Sequence, residues 1–453
     1  MLPDIQIMKV KKMMQNEQTT RRDFCKGVIS AGMAGSALLP LLAGCDTTSL
    51  INESKPTPLS QAGPVSIMWE TEHDDIGTYG SLADTFNAVN KHNIHVTIRD
   101  ASSDQEHDDL VATLKARQGS PDVISMDVIW TQEFASNGWV IPLDDLWPKE
   151  KRQDYLSIPL AGSTYQGKLW AAPFRTDVGL LYYRTDLIAS APRSWDDFMS
   201  AVASPQVKSK TRYGYVWQGK YNKGKNYEGL VCDFVEILSS CGGSILDPHN
   251  SKQVTLNRPA ARQALTIMQS LKAISPPDIL SEDEERSAAI WESGDAAFMR
   301  NWPAFIAVTN NSGKPEVTLN FDVTSLPSAL PGVITSSCIG GWGLGINAFS
   351  TRKDAAWEFI QWMLQEDAQK FAAIDASFAV TLKSIYHDQS VLGQNPLYSK
   401  LPSIIEHAQL RPQSPKYQLI SQAIQDNVSA ALSGKASIES ALISLESKLQ
   451  PLV

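Results

Sequence analysis

The sequence predicts an α/β protein with two domains, and two observations support that prediction. Short apolar segments typical of buried strands alternate with amphipathic helical segments from about residue 65 onward. This alternation is typical of mainly parallel sheets covered by helices on both faces. The chain after its N-terminal region has about 390 residues, which is more than one hydrophobic core usually organises.

The N-terminal 44 residues have the composition of an export signal and not that of a folded segment. A paired-arginine stretch, "TRRDFCK" (20–26), precedes an apolar run over 28–42. This run is shorter than the roughly 20 residues that a membrane-spanning helix needs. It ends in "LLAGC", which resembles a bacterial lipobox, where cleavage precedes the cysteine and Cys45 becomes lipidated. Residues 1–44 are therefore expected to form a signal peptide of the twin-arginine type.

Residues 45–64 are expected to form a flexible tether behind the lipidated cysteine. They are rich in Ser, Thr and Pro and show no helical or strand periodicity. The predicted location is the outer (periplasmic or extracellular) face of the bacterial cell membrane, with Cys45 as the anchor.

The charge of the remaining chain excludes one large class of partners. Without residues 1–44, the acidic residues exceed Lys and Arg by 12. A chain this acidic, with no basic patch, is not expected to bind nucleic acid.

Three cysteines remain after the tether, and their spacing allows few pairings. Cys232 and Cys241 fall on one predicted helix, about 13 Å apart along its axis, which is too far for a disulfide. A bond between Cys241 and Cys338 stays open. None of the three has the spacing of a zinc site.

The first half of the body contains three predicted buried strands, each followed by polar residues. The strands are "VSIMW" (65–69), "HVTIR" (95–99) and "DVISM" (122–126). Ligands of open α/β sheets bind beyond the carboxyl ends of such strands. The candidate residues after the first and third strands are Glu70, Glu72, Asp127 and Trp130, although acids in loops also serve solubility alone.

A second α/β region is predicted from about residue 175. Its strands are "GLLYYR" (179–184) and "GYVW" (214–217), and a helix covers about 228–240. Ser194, with Asp197 three residues later, has the pattern of a helix N-terminus with a capping box.

Motifs of catalysis and of cofactor binding are absent from the sequence. There is no nucleophile elbow, no zinc-protease motif, no phosphate loop and no dinucleotide fingerprint, so no cofactor or metal is expected. Two carboxylates, Asp127 and Asp177, would suit a glycosidase if their separation were right, and that alternative stays open.

Tryptophan is abundant, and three indoles lie at the ends of predicted strands: Trp130, Trp302 and Trp342. An aromatic face offers the C–H surface of a sugar a flat apolar platform, while carboxylates and arginines satisfy its hydroxyls. Trp357 and Trp362, on a predicted amphipathic helix, are expected in the core instead.

Several motifs in a fixed order give the chain a family resemblance. It resembles the extracellular solute-binding proteins that feed ABC importers, in the sugar-binding branch related to maltose- and trehalose-binding proteins. The motifs include "PDVISMDVIW" (121–130), "YQGKLWAAPFRTDVGLLYYRTDL" (165–187), "WESGDAAFMRNWP" (291–303) and "GGWGLGIN" (340–347).

The resemblance implies a two-lobed periplasmic-binding-protein fold of type II, with a hinge between lobes that close on a ligand. The implied first lobe comprises residues 65–174 and 327–366, and the second comprises 175–326 and 367–453. The implied ligand contacts, placed by motif position, are Glu70, Glu72, Asp127, Trp130, Arg175, Asp177, Trp302, Gly341, Trp342 and Arg411. The family often carries an aromatic residue in place of Arg175, which leaves the identity of the sugar open.

The function expected from this resemblance is non-enzymatic capture. A monomeric, membrane-tethered receptor would bind a mono- or disaccharide-like neutral solute and deliver it to ABC permease subunits and their ATPase. The indole of Trp342 would stack on the sugar opposite Trp302, or else pack between the lobes. The alternatives are an enzyme acting on surface polysaccharide and a ligand-sensing subunit of a signalling system.

Overall fold

The computed structural model describes residues 63–453 apart from 75, 102–104, 222–226, 248–249, 257, 312 and 333–336. The predicted signal peptide, Cys45 and almost all of the tether lie outside the described residues. The described strands are β1 (Val65–Glu72), β2 (Ile94–Ala101), β3 (Val123–Asp127), β4 (Thr164–Tyr165), β5 (Lys168–Leu169), β6 (Ala172–Val178), β7 (Leu180–Arg184), β8 (Tyr213–Val216), β9 (Leu246–Asp247), β10 (Asn250–Val254), β11 (Ala296–Asn301), β12 (Phe321–Thr324), β13 (Ile339–Ile346) and β14 (Ala379–Val380).

The helices confirm most of the predicted segments, including the helix expected at about 228–240. Ser194 caps its helix as predicted, accepting a hydrogen bond from the backbone of Asp197 while the side chain of Asp197 bonds back. The described α-helices are α1 (Thr78–Val89), α2 (Glu106–Lys115), α3 (Thr131–Ser136), α4 (Ser157–Gly162), α5 (Trp195–Ala203), α6 (Pro205–Lys210), α7 (Gly229–Ser240), α8 (Arg258–Ala273), α9 (Glu284–Glu292), α10 (Phe305–Asn310), α11 (Pro315–Thr318), α12 (Lys353–Met363), α13 (Glu366–Asp375), α14 (Gln389–Gln394), α15 (Leu401–Glu406), α16 (Tyr417–Leu432) and α17 (Ile438–Leu449).

Two larger sheets organise the fold, and both are mixed where mainly parallel sheets were expected. The first has the order β14-β6-β13-β3-β1-β2, and the second has the order β12-β7-β11-β8. In the first sheet β1 runs parallel to β2 and β3, whereas β13 is antiparallel to both β3 and β6. β14 is likewise antiparallel to β6, and of these strands β13 is the one that returns from the second sheet.

The chain passes between the two sheets at points that position the candidate site. Gly179 alone separates β6 of the first sheet from β7 of the second. The chain leaves the second sheet at β12 and re-enters the first at β13. The chain thus changes sheet at Gly179 and between β12 and β13, while the expected lobe boundaries near 175 and 326 stay a prediction.

The C-terminal part divides differently from the expected assignment of 367–453 to the second lobe. β14 pairs with β6 of the first sheet, and the backbone N–H of Leu156 donates to the carbonyl of Thr381 at 2.8 Å. The buried side chains of α16 and α17 instead join the core of the second sheet. Ala368, Ala372 and Phe378 pack with the first sheet because their apolar faces cover it.

Among the described residues, three clusters of buried apolar side chains stabilise the fold. One includes Trp69 and Phe359 beneath the first sheet and extends to Tyr182 of the second. Another includes Phe198 and Phe298 beneath the second sheet, and a smaller one includes Trp130 and Phe134. None of the described helices is both long enough and apolar enough to cross a bilayer.

Gly341 has the conformation and the surroundings that glycine alone tolerates. Its φ is +114°, and a Cβ there would lie 2.5 Å from the carbonyl oxygen of Arg175 and 2.6 Å from Cα of Thr176. The glycine thus lets β13 approach β6 closely, which is a packing role, and the ligand contact expected at Gly341 stays a prediction.

We predict that Gly341→Ala destabilises the protein by about 3 kcal/mol or more, because backbone strain and steric overlap act together. Chemical denaturation followed by circular dichroism measures the loss. Gly138→Ala is the matched control, since Gly138 also has a positive φ, of +66°, but a Cβ there meets nothing within 4 Å. An equal loss in the two variants would contradict the proposed overlap with β6.

Candidate functional site

The pairing of β13 gathers most of the predicted residues at one edge of the first sheet. Trp342 lies opposite Asp127 of β3 on one side and opposite Arg175 of β6 on the other. Gly340 lies opposite Asp177. Residues from three distant stretches of the chain are therefore neighbours because of strand register.

Arg175 is held between two carboxylates and an aromatic ring. Its Nη1 lies 3.3 Å from Oε1 of Glu72, and its Nε lies 3.3 Å from Oδ2 of Asp177. The guanidinium carbon is 4.5 Å from the ring centroid of Phe378, and Nη1 also donates to the hydroxyl of Tyr79 at 3.1 Å. This arrangement fixes the orientation of the guanidinium at the sheet edge.

The carboxyl groups around Arg175 have raised pKa values. Burial raises the pKa of Asp177 to about 6, against the lowering effect of Arg175, and the like charge of Glu72 adds to the rise. Burial likewise raises the pKa of Glu72, although Arg175 and the Tyr79 hydroxyl oppose it. One guanidinium does not fully compensate two desolvated carboxylates.

Arg411 forms a second, similar arrangement that links the C-terminal part to the sheet edge. Its Nη2 lies 3.3 Å from Oδ1 of Asp127, and its Nη1 lies 3.3 Å from Oε2 of Glu228. Tyr417 and Ser421 donate hydroxyl hydrogen bonds to the carboxylate of Glu228. Arg411 is thus brought to the predicted site as expected, although it is almost fully buried.

Trp302 of the second sheet reaches the first sheet at Gly340. A Cβ on Gly340 would lie 3.6 Å from two carbon atoms of the Trp302 indole and 3.3 Å from Cβ of Asp177. The indole Nε1 donates to Oε1 of Glu284 at 3.1 Å, and the guanidinium carbon of Arg300 lies 3.8 Å from its ring centroid. Trp302 is therefore a half-buried ring held from behind and aimed at the predicted site.

Trp342 and Trp130 differ in their exposure, although both were expected to line the site. Trp342 is half-buried, whereas Trp130 is buried, with 5% of its surface exposed. Trp130 stacks on Phe134 and meets Trp342 edge-on, with centroids 5.8 Å and 5.5 Å away. Trp130 thus supports the indole of Trp342 and does not itself present a free face.

Glu70 and Glu72 both lie at the predicted edge of the first sheet, but the charge of Glu70 is paired with an arginine within the sheet. Glu70 is buried and forms an ion pair with Arg99 of β2. Its role is therefore cross-strand pairing within the sheet, whereas Glu72 belongs to the group around Arg175.

Glu106 is a buried acid that was not among the predicted site residues. It begins α2, and 3% of its surface is exposed. Among the described residues its Oε1 has no hydrogen-bond partner. Burial raises its pKa to about 9, and the like charges of Glu72, Glu70 and Asp127 add to this effect.

The sequence reasoning also missed Tyr79, Glu228 and Arg300, all of which contact predicted residues. Arg300 stands two residues before Trp302 within a predicted motif, which was an available signal. The sequence around Tyr79 and Glu228 contained no such signal, because only tertiary packing brings these two residues to the site.

Trp357 and Trp362 were expected in the core, but both indoles are only half-buried. Together with Val89 of α1 they line a cavity of about 440 Å³ between α1 and α12, and none of the predicted site residues lines it. Phe359 and Ile360 of the same helix α12 occupy its core face, so the two indoles flank that face.

The three described cysteines are free and buried. The neighbouring Cys338 and burial raise the pKa of the Cys232 thiol, so Cys338 lies beside Cys232, and no disulfide joins it to the Cys241 considered from the sequence. Within the described ranges no cluster of three or more potential ligand side chains could hold a metal ion.

Comparisons with known proteins found a matching sequence family and several relatives. The sequence model of the family described as bacterial extracellular solute-binding protein matches residues 71–370. A "probable ABC transporter-binding protein" of Deinococcus radiodurans is 33% identical over 350 residues, which cover 74% of this chain and 81% of that protein. A maltotriose-binding protein of Pyrococcus abyssi is 21% identical over 375 residues, covering 82% and 78%.

A solved structure agrees with the sequence relatives. The maltose-bound MalE3 of T. maritima superimposes with a TM-score of 0.77 at 31% identity, covering 86% of this chain and 100% of that one.

We predict that stability falls as pH rises from 5 to 8, and that Glu106→Gln reduces this fall. Between its ordinary pKa of 4.5 and about 9, the folded protein keeps a proton on Glu106 that the unfolded chain has released. The free energy of unfolding therefore decreases with pH, by at most about 1.4 kcal/mol per pH unit for this group. Urea denaturation at both pH values measures the difference.

The matched control for this prediction is Glu366→Gln, which changes an exposed acid at the start of α13. It should retain the pH dependence of the parent protein. A Glu106→Gln variant with the same pH dependence as the parent would show that the carboxyl group is ionised in the folded state.

Proposed function

Since the chain belongs to the bacterial extracellular solute-binding proteins, we propose that it captures a mono- or disaccharide-like neutral solute for an ABC importer. The solute would bind in a cleft between two lobes built on the two larger sheets. Permease subunits with their ATPase would receive it, and the binding protein would act as a monomer without enzymatic activity.

One observation carries the proposal: Trp342 and Trp302 are both gathered beside the carboxylates and guanidiniums at the edge of the first sheet. Strand register places Trp342 between Asp127 and Arg175, and Trp302 approaches from the second sheet at Gly340. Aromatic faces combined with charged hydrogen-bonding groups suit a polyhydroxylated ligand.

Two unsatisfied donors support the same ligand class. Among the described residues, Nε of Arg411 is buried without a hydrogen-bond partner, and Nε of Arg175 makes no well-directed hydrogen bond although it lies 3.3 Å from Oδ2 of Asp177. Buried donors without an acceptor are costly, and a ligand hydroxyl oxygen would satisfy them. Capture would then proceed by closure, because a ligand that touches both lobes favours the closed form.

The names of the relatives agree with a saccharide. The P. abyssi relative is a maltotriose-binding protein and the T. maritima structure contains maltose. We propose a mono- or disaccharide-like ligand. Because Arg175 occupies a position where the resemblance leads us to expect an aromatic ring, we do not name the sugar.

We also propose that the protein is exported and anchored through lipidated Cys45. The support is the order of paired arginines, apolar run and "LLAGC" in the sequence, followed by a segment rich in Ser, Thr and Pro. An anchored receptor on the outer face of the membrane would stay close to its permease.

The first prediction from this proposal is thermal stabilisation by at least one sugar in a panel that includes maltose, trehalose and glucose, with no sugar consumed. Ligand at a hundredfold excess over its Kd stabilises the folded state by about 2.7 kcal/mol. Trp342→Ala should then weaken binding by about 1–3 kcal/mol, as stacking on a nucleobase does.

Trp357→Ala is the matched control, since it removes a half-buried indole from α12, outside the proposed cleft. It should bind the sugar like the parent protein. A panel without any stabilisation would argue against a neutral saccharide, and consumption of the sugar would indicate an enzyme.

The second prediction is that Cys45→Ser releases the protein from the membrane, because the anchor requires the thiol. Metabolic labelling with radioactive palmitate and membrane fractionation measure this. Cys25→Ser, within the predicted signal peptide, should leave labelling intact. Labelling that persists in the Cys45 variant would refute the anchor.

A further inference from the structure

A fully buried ion pair lies behind the proposed site in the second sheet. Arg300 and Glu236 have side chains that are 0% and 1% exposed. Nη2 of Arg300 donates to Oε1 of Glu236 at 2.6 Å, and Nε donates to Oε2 at 3.0 Å. Nη1 donates to Oε1 of Gln218 at 3.1 Å, so the guanidinium plane is fixed.

Glu236 also holds both chain segments that cross between the sheets. Its Oε1 accepts a hydrogen bond from the backbone N–H of Cys338, directly before β13, at 3.0 Å. The carbonyl of Cys338 accepts from the N–H of Gly179, between β6 and β7, at 3.1 Å. A Cβ at Gly179 would lie 1.9 Å from Oε1 of Glu236, so the crossing accommodates this carboxylate only because residue 179 lacks a side chain.

Arg300 connects the same pair to Trp302. Its guanidinium carbon lies 3.8 Å from the centroid of the indole. The indole is also held by Glu284 at Nε1, and the backbone carbonyl of Trp302 accepts from the hydroxyl of Tyr182 at 2.6 Å. The guanidinium thus covers one face of a ring whose edge meets Gly340.

We propose that Arg300 and Glu236 are positioning residues that couple the orientation of Trp302 to the crossing segments at Gly179 and Cys338. The inference rests on the proposed function and adds how that site is held. A movement of the crossing segments displaces the carboxylate, the carboxylate displaces the guanidinium, and the guanidinium displaces the ring that stacks on the ligand. Occupancy at Trp302 is thereby linked to the relative position of the two sheets.

A purely structural role would make a different prediction. Any buried pair in this sheet would then reduce stability without a specific effect on Trp302. Arg184 and Asp186 offer a comparison, because Arg184 is also buried, although Asp186 is exposed, and Arg184 donates from Nε and Nη2 to the two carboxylate oxygens at 2.7 Å. Arg184 lies on β7 at its end distant from Gly179.

The test compares Arg300→Lys with the matched variant Arg184→Lys in the full chain labelled with 5-fluorotryptophan. Lysine keeps the positive charge but loses the planar stacking and the paired hydrogen bonds. The fluorine resonance of Trp302, assigned with Trp302→Phe, should shift and broaden in Arg300→Lys and stay unchanged in Arg184→Lys. Maltose, as the probe sugar, should bind Arg300→Lys more than tenfold more weakly and Arg184→Lys within twofold of the parent.

A second variant keeps the proposal testable if Arg300→Lys does not fold. Glu236→Gln retains the shape of the side chain but weakens the hold on the guanidinium, so the Trp302 resonance should again shift. Unchanged Trp302 resonances in these variants would overturn the proposal, as would equal changes in Arg184→Lys. If maltose binds no form of the protein, the fluorine spectra still decide the coupling, while the proposed ligand would fail separately.

Discussion

The insertion of β13 between β3 and β6 is the constraint on which the rest of the structure depends. The strand is antiparallel to both neighbours and completes the first sheet after the chain has built the second. Its glycines are required by packing: a Cβ at Gly343 would lie 2.8 Å from Cβ of Ala171, and one at Gly345 would lie 2.4 Å from Sδ of Met126. The bulky side chain of Trp342 fits between these glycines because it points to the half-exposed edge of the sheet.

At that edge of the first sheet, carboxylates outnumber the guanidinium groups that pair with them. Arg175 and Arg411 each lie between two carboxylates, and burial raises the pKa of most of these acids. Desolvation is costly for every member of such a group, and the mutual attraction offsets it only in part. The fold tolerates this cost at the edge where ligands of open α/β sheets bind, which is typical of a functional site.

Some aromatic rings at this edge are buried and pack against other rings, whereas others are half-buried with part of their surface exposed. Trp130 is buried against Phe134 and holds Trp342 from its edge. Trp302 is covered from behind by Arg300, so its orientation depends on a buried ion pair that also contacts the crossing segment at Cys338. The two half-buried indoles of the site are thus each held in place by a buried neighbour, and rigid placement reduces the entropy that binding would cost.

The sequence alone determined the α/β class, the strands at the start of both regions, the capped helix at Ser194 and the family motifs, because period, capping and motif order are local properties. It also indicated that Asp127, Arg175, Asp177 and Trp342 belong together, through their motifs. Tertiary structure decided which acids are buried and which rings are presented. Glu106 has polar neighbours in the sequence "QEHDD" (105–109), whereas in the structure it is buried near the carboxylates of Glu72, Glu70 and Asp127. The direction of β13 and the pairing of β14 with the first sheet depend on contacts between residues far apart in the chain. No local sequence pattern encodes such contacts.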